Sequence, residues 1–185
     1  MFPAVFLDRD GVIIENRSDY VRDWSQVELL PEAIHALSRF RKEQYKTVLV
    51  TNQSAVGRGL ITLETAEDIN RRLARVIEEN GGKLDAIYMC PHAPEDQCDC
   101  RKPRTELFIR AAHDLSLDLG SSWMVGDAWS DLLAGQNANL RGVILVKTGR
   151  GIDQLQQAKP ENLRDFLIKE NLSSALDSIT KAGNF

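Results

Sequence analysis

The chain has 185 residues, 43% of them hydrophobic and 27% charged, with a formal net charge of −4. That composition is ordinary for one folded unit with a real core, and the acidic balance argues against a sequence-independent nucleic-acid binder. No apolar run approaches membrane-spanning length, and the start Met1-Phe2-Pro3-Ala4-Val5 lacks the basic region and cleavage pattern of a signal peptide. The expectation is a cytoplasmic protein with no nucleic-acid or membrane partner.

Strand and helix signals alternate along the chain. Residues 4–7 predict a first strand, which runs directly into Asp8-Arg9-Asp10-Gly11. Residues 31–42 predict a helix, because Pro31 suits a first helical position and Ile34, Leu37 and Phe40 recur at helical spacing. Residues 46–51 predict a buried strand. Thr62 predicts the cap of a long helix reaching about Glu79, with Ile69, Leu73 and Val76 on one face and Gly81-Gly82 as its stop. A strand follows at 84–89, a helix at 105–115, a short strand at 123–125, a short helix at 131–137 and a strand at 143–146. In the tail, 166–168 predict an edge strand and 174–181 a terminal helix. This alternation implies βαβ units: a three-layer, Rossmann-like α/β fold with a mostly parallel central sheet, as a single domain over 1–185. Ligands of such sheets sit beyond the carboxyl ends of the strands. Asp8, Thr51 and Asp127 fall there.

Asp8 and Asp10 are one residue apart at the end of an extended segment, where i and i+2 share a face. Two carboxylates that converge repel unless a cation sits between them. The arrangement suits a nucleophile beside a proton donor with a divalent metal nearby, and the bland alternative is a solvated turn. Thr51-Asn52-Gln53 closes an apolar strand with a hydroxyl and a backbone amide, both able to donate to a phosphate oxygen. Arg101-Lys102-Pro103 sets two cations beside a helix start, and lysine is a common phosphate partner. A polar strand end and a solvated basic pair are the ordinary readings of these two. Asp127 at a strand end can ligate Mg²⁺. Asp131, four residues on, is either a further ligand or a first-turn acid favoured by the helix dipole.

Three cysteines, Cys90, Cys98 and Cys100, lie within eleven residues of one another together with His92. An odd count makes no disulfide framework, and clustered thiols of a reducing compartment are more often metal ligands than free. Three thiolates and an imidazole match a closed, structural Zn²⁺ site, although C-x-H-x5-C-x-C is not a nucleic-acid finger spacing. Because Cys100 directly precedes Arg101-Lys102, a metal-bound loop there would fix the two cations. His35 and His113 read as helix-face residues, and Trp24, Trp123 and Trp129 as packing, with substrate stacking left open for Trp129.

Taken in order, Asp8-x-Asp10-Gly11, Thr51-Asn52, Lys102-Pro103 and Gly126-Asp127-xxx-Asp131 resemble the four motifs of the haloacid-dehalogenase-like phosphatases over roughly residues 4–150. The resemblance implies Asp8 as nucleophile through an aspartyl-phosphate, and Asp10 as general acid and then base. It implies Thr51 and Lys102 around the phosphoryl group, with Mg²⁺ held by Asp8, the Asp10 carbonyl and Asp127. Only the short segment 13–28 separates the first motif from the first helix, and the cysteine loop fills the other usual cap position. The chain therefore resembles the zinc-containing branch without a large cap domain, which includes heptose 1,7-bisphosphate and histidinol-phosphate phosphatases.

The run Thr51 to Gly59, Ser54 in particular, and the Tyr20-Val21 pair are more similar to the heptose enzymes, although Ala55 and Gly57 depart from that pattern. The implied substrate is a small phosphorylated sugar whose 7-phosphate is removed, in a route to activated heptose for cell-surface polysaccharide. Asn16, Arg17, Ser18 and Asp19 with Asn52, Gln53 and Ser54 would line the sugar site, and Arg101 would add recognition. Arg58, Arg101 and Arg17 are the candidate cations for a second phosphate, and the expected state is a monomer. Rival readings are a histidinol-phosphate phosphatase, a receiver-like domain whose phospho-aspartate persists, and a zinc-binding interaction module. Asp10, placed to activate water, and the intact motif set favour the enzyme.

Overall fold

Four consecutive apolar residues form strand β1 (Ala4–Leu7), and all four are fully buried because both faces of the strand are covered. The computed structural model describes residues 1–41 and 44–183. Its strands β2 (Lys46–Asn52), β3 (Ala86–Cys90), β4 (Trp123–Gly126), β5 (Gly142–Val146) and β6 (Leu167–Lys169) join β1 in one sheet of order β3-β2-β1-β4-β5-β6. Every pairing is parallel.

The helices are α1 (Pro31–Phe40), α2 (Ser54–Gly57), α3 (Leu63–Glu79), α4 (Glu106–Leu115), α5 (Trp129–Asn137), α6 (Gly151–Gln156) and α7 (Leu172–Gly183). Strand alternation sorts the core into two layers. Val5, Leu7, Leu49, Val125 and Ile144 face α1, α3 and α7 through Leu37, Leu73 and Ile179. Ala4, Phe6, Val48, Val50 and Met124 face α4 and α5 through Phe108 and Leu132, with the rings of Phe6 and Phe108 4.8 Å apart. Among the described residues no helix is long and apolar enough to cross a membrane.

Most predicted elements lie where the periodicity put them, and the differences have local causes. Thr62 caps α3 as expected, accepting from Thr65 N, and Gly81 ends it with φ +83°. The last residue of the predicted first helix, Lys42, lies outside the described residues. The third strand starts two residues later than 84–89, because the Asp85 carboxylate is drawn to the Thr47 amide (3.0 Å) and Lys46 (3.1 Å). At the other end, pairing with Asn52 carries the strand one residue further, to Cys90. Helix α5 starts earlier than 131–137, since Asp131 reaches back to the Ala128 amide (3.1 Å). The terminal helix is longer than 174–181 at both ends, with Asn171 bonding Ser174 N (3.0 Å) at its start. Helices α2 and α6 are too short to carry a period and were not predicted. Residues 13–28 form a flap with one 3-10 turn, Trp24–Gln26, in place of a cap.

Strand order reverses between β1 and β4, where a crevice opens at the carboxyl ends. Leu73 of α3, fully buried in the core layer that includes Leu7 and Leu49, tests the packing on this face of the sheet. Leu73→Ala should cost about 2–5 kcal/mol in equilibrium denaturation. A loss under 1 kcal/mol would mean the α3 layer is not integral to the fold.

Candidate active site

The loops after β1, β4 and β5 meet around one buried carboxylate. Asp127 follows β4 and is fully buried. Gly11 (φ +79°) and Gly149 (φ +58°) pack against it so closely that a Cβ on either would overlap Asp127 Oδ2. Only glycine supplies both the left-handed backbone and the missing side chain there. Thr148 Oγ1 donates to the Gly11 carbonyl (2.6 Å) and ties the first and last of these loops together.

Asp8, Asp127 and Asp131 then present carboxylate oxygens within 4.8 Å of one another. Lys102 enters from the loop after the cysteine cluster. Its Nζ lies 3.0 Å from Asp8 Oδ1, 2.8 Å from Asp131 Oδ1 and 2.8 Å from the Val50 carbonyl. Burial alone would push Lys102 down, but the carboxylates of Asp131 and Asp8 outweigh it and hold the amine above the ordinary lysine value. Asp131 stands in the first turn as one of its two readings had it: one oxygen accepts from the Ala128 amide at the start of α5, and the other pairs with Lys102, a partner that neither reading named.

Asp10 is separated from this cluster by its own set of partners. The Arg9 guanidinium, 1% exposed, donates through Nε and Nη2 to the two Asp10 oxygens (3.0 and 3.2 Å). It is braced by Asn70 Oδ1 of α3 (3.0 Å) and Gln53 Oε1 (2.8 Å). Gln53 Nε2 donates to Asp10 Oδ2 (3.0 Å) and to Thr51 Oγ1 (2.8 Å). The sequence reading passed over Arg9 and Asn70. The signal for Arg9 was a cation between two acids at a strand end; Asn70 interrupts an otherwise apolar helix face.

A cleft of about 280 Å³ opens over these groups. Asp8, Asp10, Asn16, Arg17, Ser18, Asn52, Gln53, Ser54 and Lys102 line it, joined by Arg9, Tyr20, Val21, Ser130, Asp131 and Arg150. Other expected residues sit elsewhere. Thr51 is buried beneath the cleft wall, and Asp19 stands outside it, paired with Arg17 (3.2 Å). Arg101 is tied to Ser54 Oγ (2.8 Å) and the His92 carbonyl (3.2 Å), so it braces the wall from behind. Arg58 pairs with Glu95 at the surface (3.1 Å), away from the cleft. Asn52 exchanges hydrogen bonds with the backbone of Lys102 (3.1 and 3.2 Å) and positions it. Trp129 is 8% exposed and packs on Phe166 (5.5 Å between rings), which makes it core. His35 and His113 are exposed.

Two groups of side chains fit metal ions. Cys90, His92, Cys98 and Cys100 bring their ligand atoms within 4.8 Å of one another, with S···S distances of 3.5 Å and Nδ1···S distances of 3.3 and 3.7 Å. A disulfide needs about 2.05 Å. A tetrahedral zinc ion with sulfur ligands at about 2.3 Å spaces them by about 3.8 Å, close to what is seen. Burial, then the hydrogen bond that the Cys90 thiol donates to Cys100, pushes the Cys90 thiol up, so metal loading must release its proton. In the acidic group, Asp8 Oδ1 is buried with the Lys102 ammonium beside it at 3.0 Å, and burial pushes Asp127 up to about 6 despite Arg150 beside it. An oxygen-rich pocket that disfavours its own charge fits a hard divalent cation.

The parallel sheet, its strand-end carboxylates and the buried lysine are those of a haloacid-dehalogenase-like hydrolase. The HAD-hydrolase-like family model matches residues 99–174. The D-glycero-beta-D-manno-heptose-1,7-bisphosphate 7-phosphatase of Pseudomonas aeruginosa is 36% identical over 172 residues, 93% of this chain and 96% of that one. The Helicobacter pylori J99 protein of the same name is 40% identical over 144 residues, 77% and 82% of the two chains. The D,D-heptose 1,7-bisphosphate phosphatase of B. bronchiseptica, solved with magnesium and phosphate, superposes with a TM-score of 0.88 at 33% identity, covering 97% of this chain and 99% of that one. The chain belongs to the haloacid-dehalogenase-like family of D-glycero-beta-D-manno-heptose-1,7-bisphosphate 7-phosphatases.

The Asp127 environment predicts how magnesium should act on stability. Below about pH 6 a proton occupies this carboxyl and must leave before a cation can be held; above it the carboxylate is free to bind. Saturating Mg²⁺ should therefore raise Tm more at pH 7.5 than at pH 5 in calorimetric scans. An equal shift at both values would place the ion elsewhere.

Proposed function

We propose that this chain is a cytoplasmic, Mg²⁺-dependent phosphatase, one domain over 1–185, that removes the 7-phosphate of D-glycero-D-manno-heptose 1,7-bisphosphate. The observation that carries the chemistry is the pair of separately partnered carboxylates, Asp8 on Lys102 and Asp10 on Arg9, lining one cleft. The substrate reading rests on the named activity of relatives aligned along nearly the whole chain.

In this mechanism an Asp8 oxygen attacks phosphorus in line as the sugar oxygen departs, and Asp10 gives that oxygen its proton. Asp10, now a carboxylate again, takes a proton from the water that attacks the aspartyl-phosphate. Phosphate leaves and Asp8 is regenerated. Lys102 offsets negative charge on Asp8 and on the phosphoryl oxygens in both steps. Arg9 and Gln53 fix the direction of Asp10, while Thr51 anchors Gln53 from below. Mg²⁺ would be held by Asp8, the Asp10 carbonyl and Asp127, and would supply charge neutralisation of the phosphoryl group. Zn²⁺ on Cys90, His92, Cys98 and Cys100 would keep the loop carrying Arg101 and Lys102 in place. Asn16, Arg17, Ser18, Asn52 and Ser54 face the sugar.

Asp8→Asn should abolish turnover, leaving less than a few percent of kcat in a protein whose fold circular dichroism shows to be retained; retention of more would rule out the covalent route. In parallel kinetics at neutral pH, heptose 1,7-bisphosphate should exceed histidinol phosphate and hexose monophosphates by at least about tenfold in kcat/KM, roughly 1.4 kcal/mol. Histidinol phosphate turned over equally well would move the chain to that neighbouring activity. Metal analysis should find one zinc per chain. The Cys98→Ser/Cys100→Ser double variant should lose it together with stability and activity, whereas an equally stable and active variant would remove the structural role.

A further inference from the structure

Among the described residues, every hydrogen bond to the Asp127 carboxylate comes from Arg150. Nη2 donates to Oδ1 (2.8 Å), while Nε (3.3 Å) and the Arg150 backbone amide (2.8 Å) donate to Oδ2. The backbone half of this grip is fixed, because Gly149 is wedged against Gly11 and Thr148 is bonded to the Gly11 carbonyl. The side-chain half is not. The guanidinium is 48% exposed and borders the same cleft as Arg17 and Ser130. It can leave Asp127 at little packing cost.

A divalent cation held by Asp127 needs an oxygen that Arg150 now occupies, and two cations on one carboxylate oxygen repel. Oδ1, held only by the half-exposed side chain, is the one that can be given up. The guanidinium then has the cleft as its polar destination. Of the three cations weighed for a second phosphate, Arg58 pairs with Glu95 outside the cleft and Arg101 bonds Ser54 and the His92 carbonyl, while Arg17 lines the cleft mouth paired with Asp19, so Arg150 would share the cleft with Arg17.

We propose that Arg150 is a specificity residue with two positions. It holds Asp127 in the metal-free protein, then yields Oδ1 to the bound cation and turns into the cleft to grip the non-reacting phosphate of a sugar bisphosphate. This rests on the phosphatase reading above. Metal binding thereby prepares the second phosphate site, and a planar, forked donor suits a phosphate there.

Two measurements on Arg150→Met and Arg150→Lys test it, with circular dichroism and Tm confirming that each variant is folded. In calorimetric titration of Mg²⁺ without substrate, Arg150→Met should bind at least about fivefold more tightly than the unmodified protein, because the competing cation is gone; Arg150→Lys should fall between. Unchanged or weaker Mg²⁺ binding would overturn the exchange. In steady-state kinetics, the ratio of kcat/KM for heptose 1,7-bisphosphate over heptose 7-phosphate should fall at least about tenfold in Arg150→Met, and less in Arg150→Lys. An unchanged ratio would overturn the phosphate grip. If the unmodified enzyme does not favour the bisphosphate at all, the substrate reading and the grip both fall, while the titration still decides the exchange at Asp127.

Discussion

The site is organised by one buried amine. Lys102 is 2% exposed, and its ammonium pairs with Asp8 after β1 and Asp131 in the first turn of α5 and donates to the Val50 carbonyl of β2. An ammonium taken out of water is stable only with such compensation, and removing one partner of a buried pair typically costs about 3–5 kcal/mol. The three elements are therefore locked to one another at the sheet's carboxyl edge. The lock in turn depends on a loop with little secondary structure. That loop is held by the reciprocal bonds of Asn52 and by the cysteine–histidine cluster immediately before it.

Charge is divided between two compartments a few residues apart. Asp8, Asp127 and Asp131 crowd together and are balanced by Lys102 and Arg150. Asp10 looks away, into the fork of Arg9. Two carboxylates on one strand end could have shared a proton as a coupled pair; distinct cations give them distinct environments instead. The proposed division of labour between nucleophile and proton donor follows from that separation. The flap completes the cleft at a local cost: Tyr20 adopts φ +66°, a left-handed conformation that strains a bulky residue by roughly 1–3 kcal/mol. The strain is held beside Arg17 at the mouth, where a substrate would be enclosed.

Reading the chain in order recovers the sheet and its helices because their signals are local. Hydrophobic period, Thr62 as a cap, Pro31 as a start and Gly81 as a stop act within a few residues. The same locality explains the errors. The start of β3 is moved by a cross-strand bond from Asp85 to Thr47, and α2 and α6 are shorter than one hydrophobic repeat.

The sequence by itself determined the alternating α/β plan, the strand-end acids, the lysine after the cysteine run and the composition of the cysteine–histidine cluster. Each is a residue type at a spacing that backbone geometry converts directly into position. Tertiary structure alone decided which cations face the cleft. Arg150 lies 23 residues beyond Asp127 and Asn70 lies 61 beyond Arg9, and nothing local joins either pair. Arg58 and Arg101, close to the motifs in the chain, are turned away by Glu95 and by Ser54 and the His92 carbonyl. Side-chain direction at a loop is set by whichever charged partner the fold brings within reach, and that choice is made only when the parallel sheet has closed.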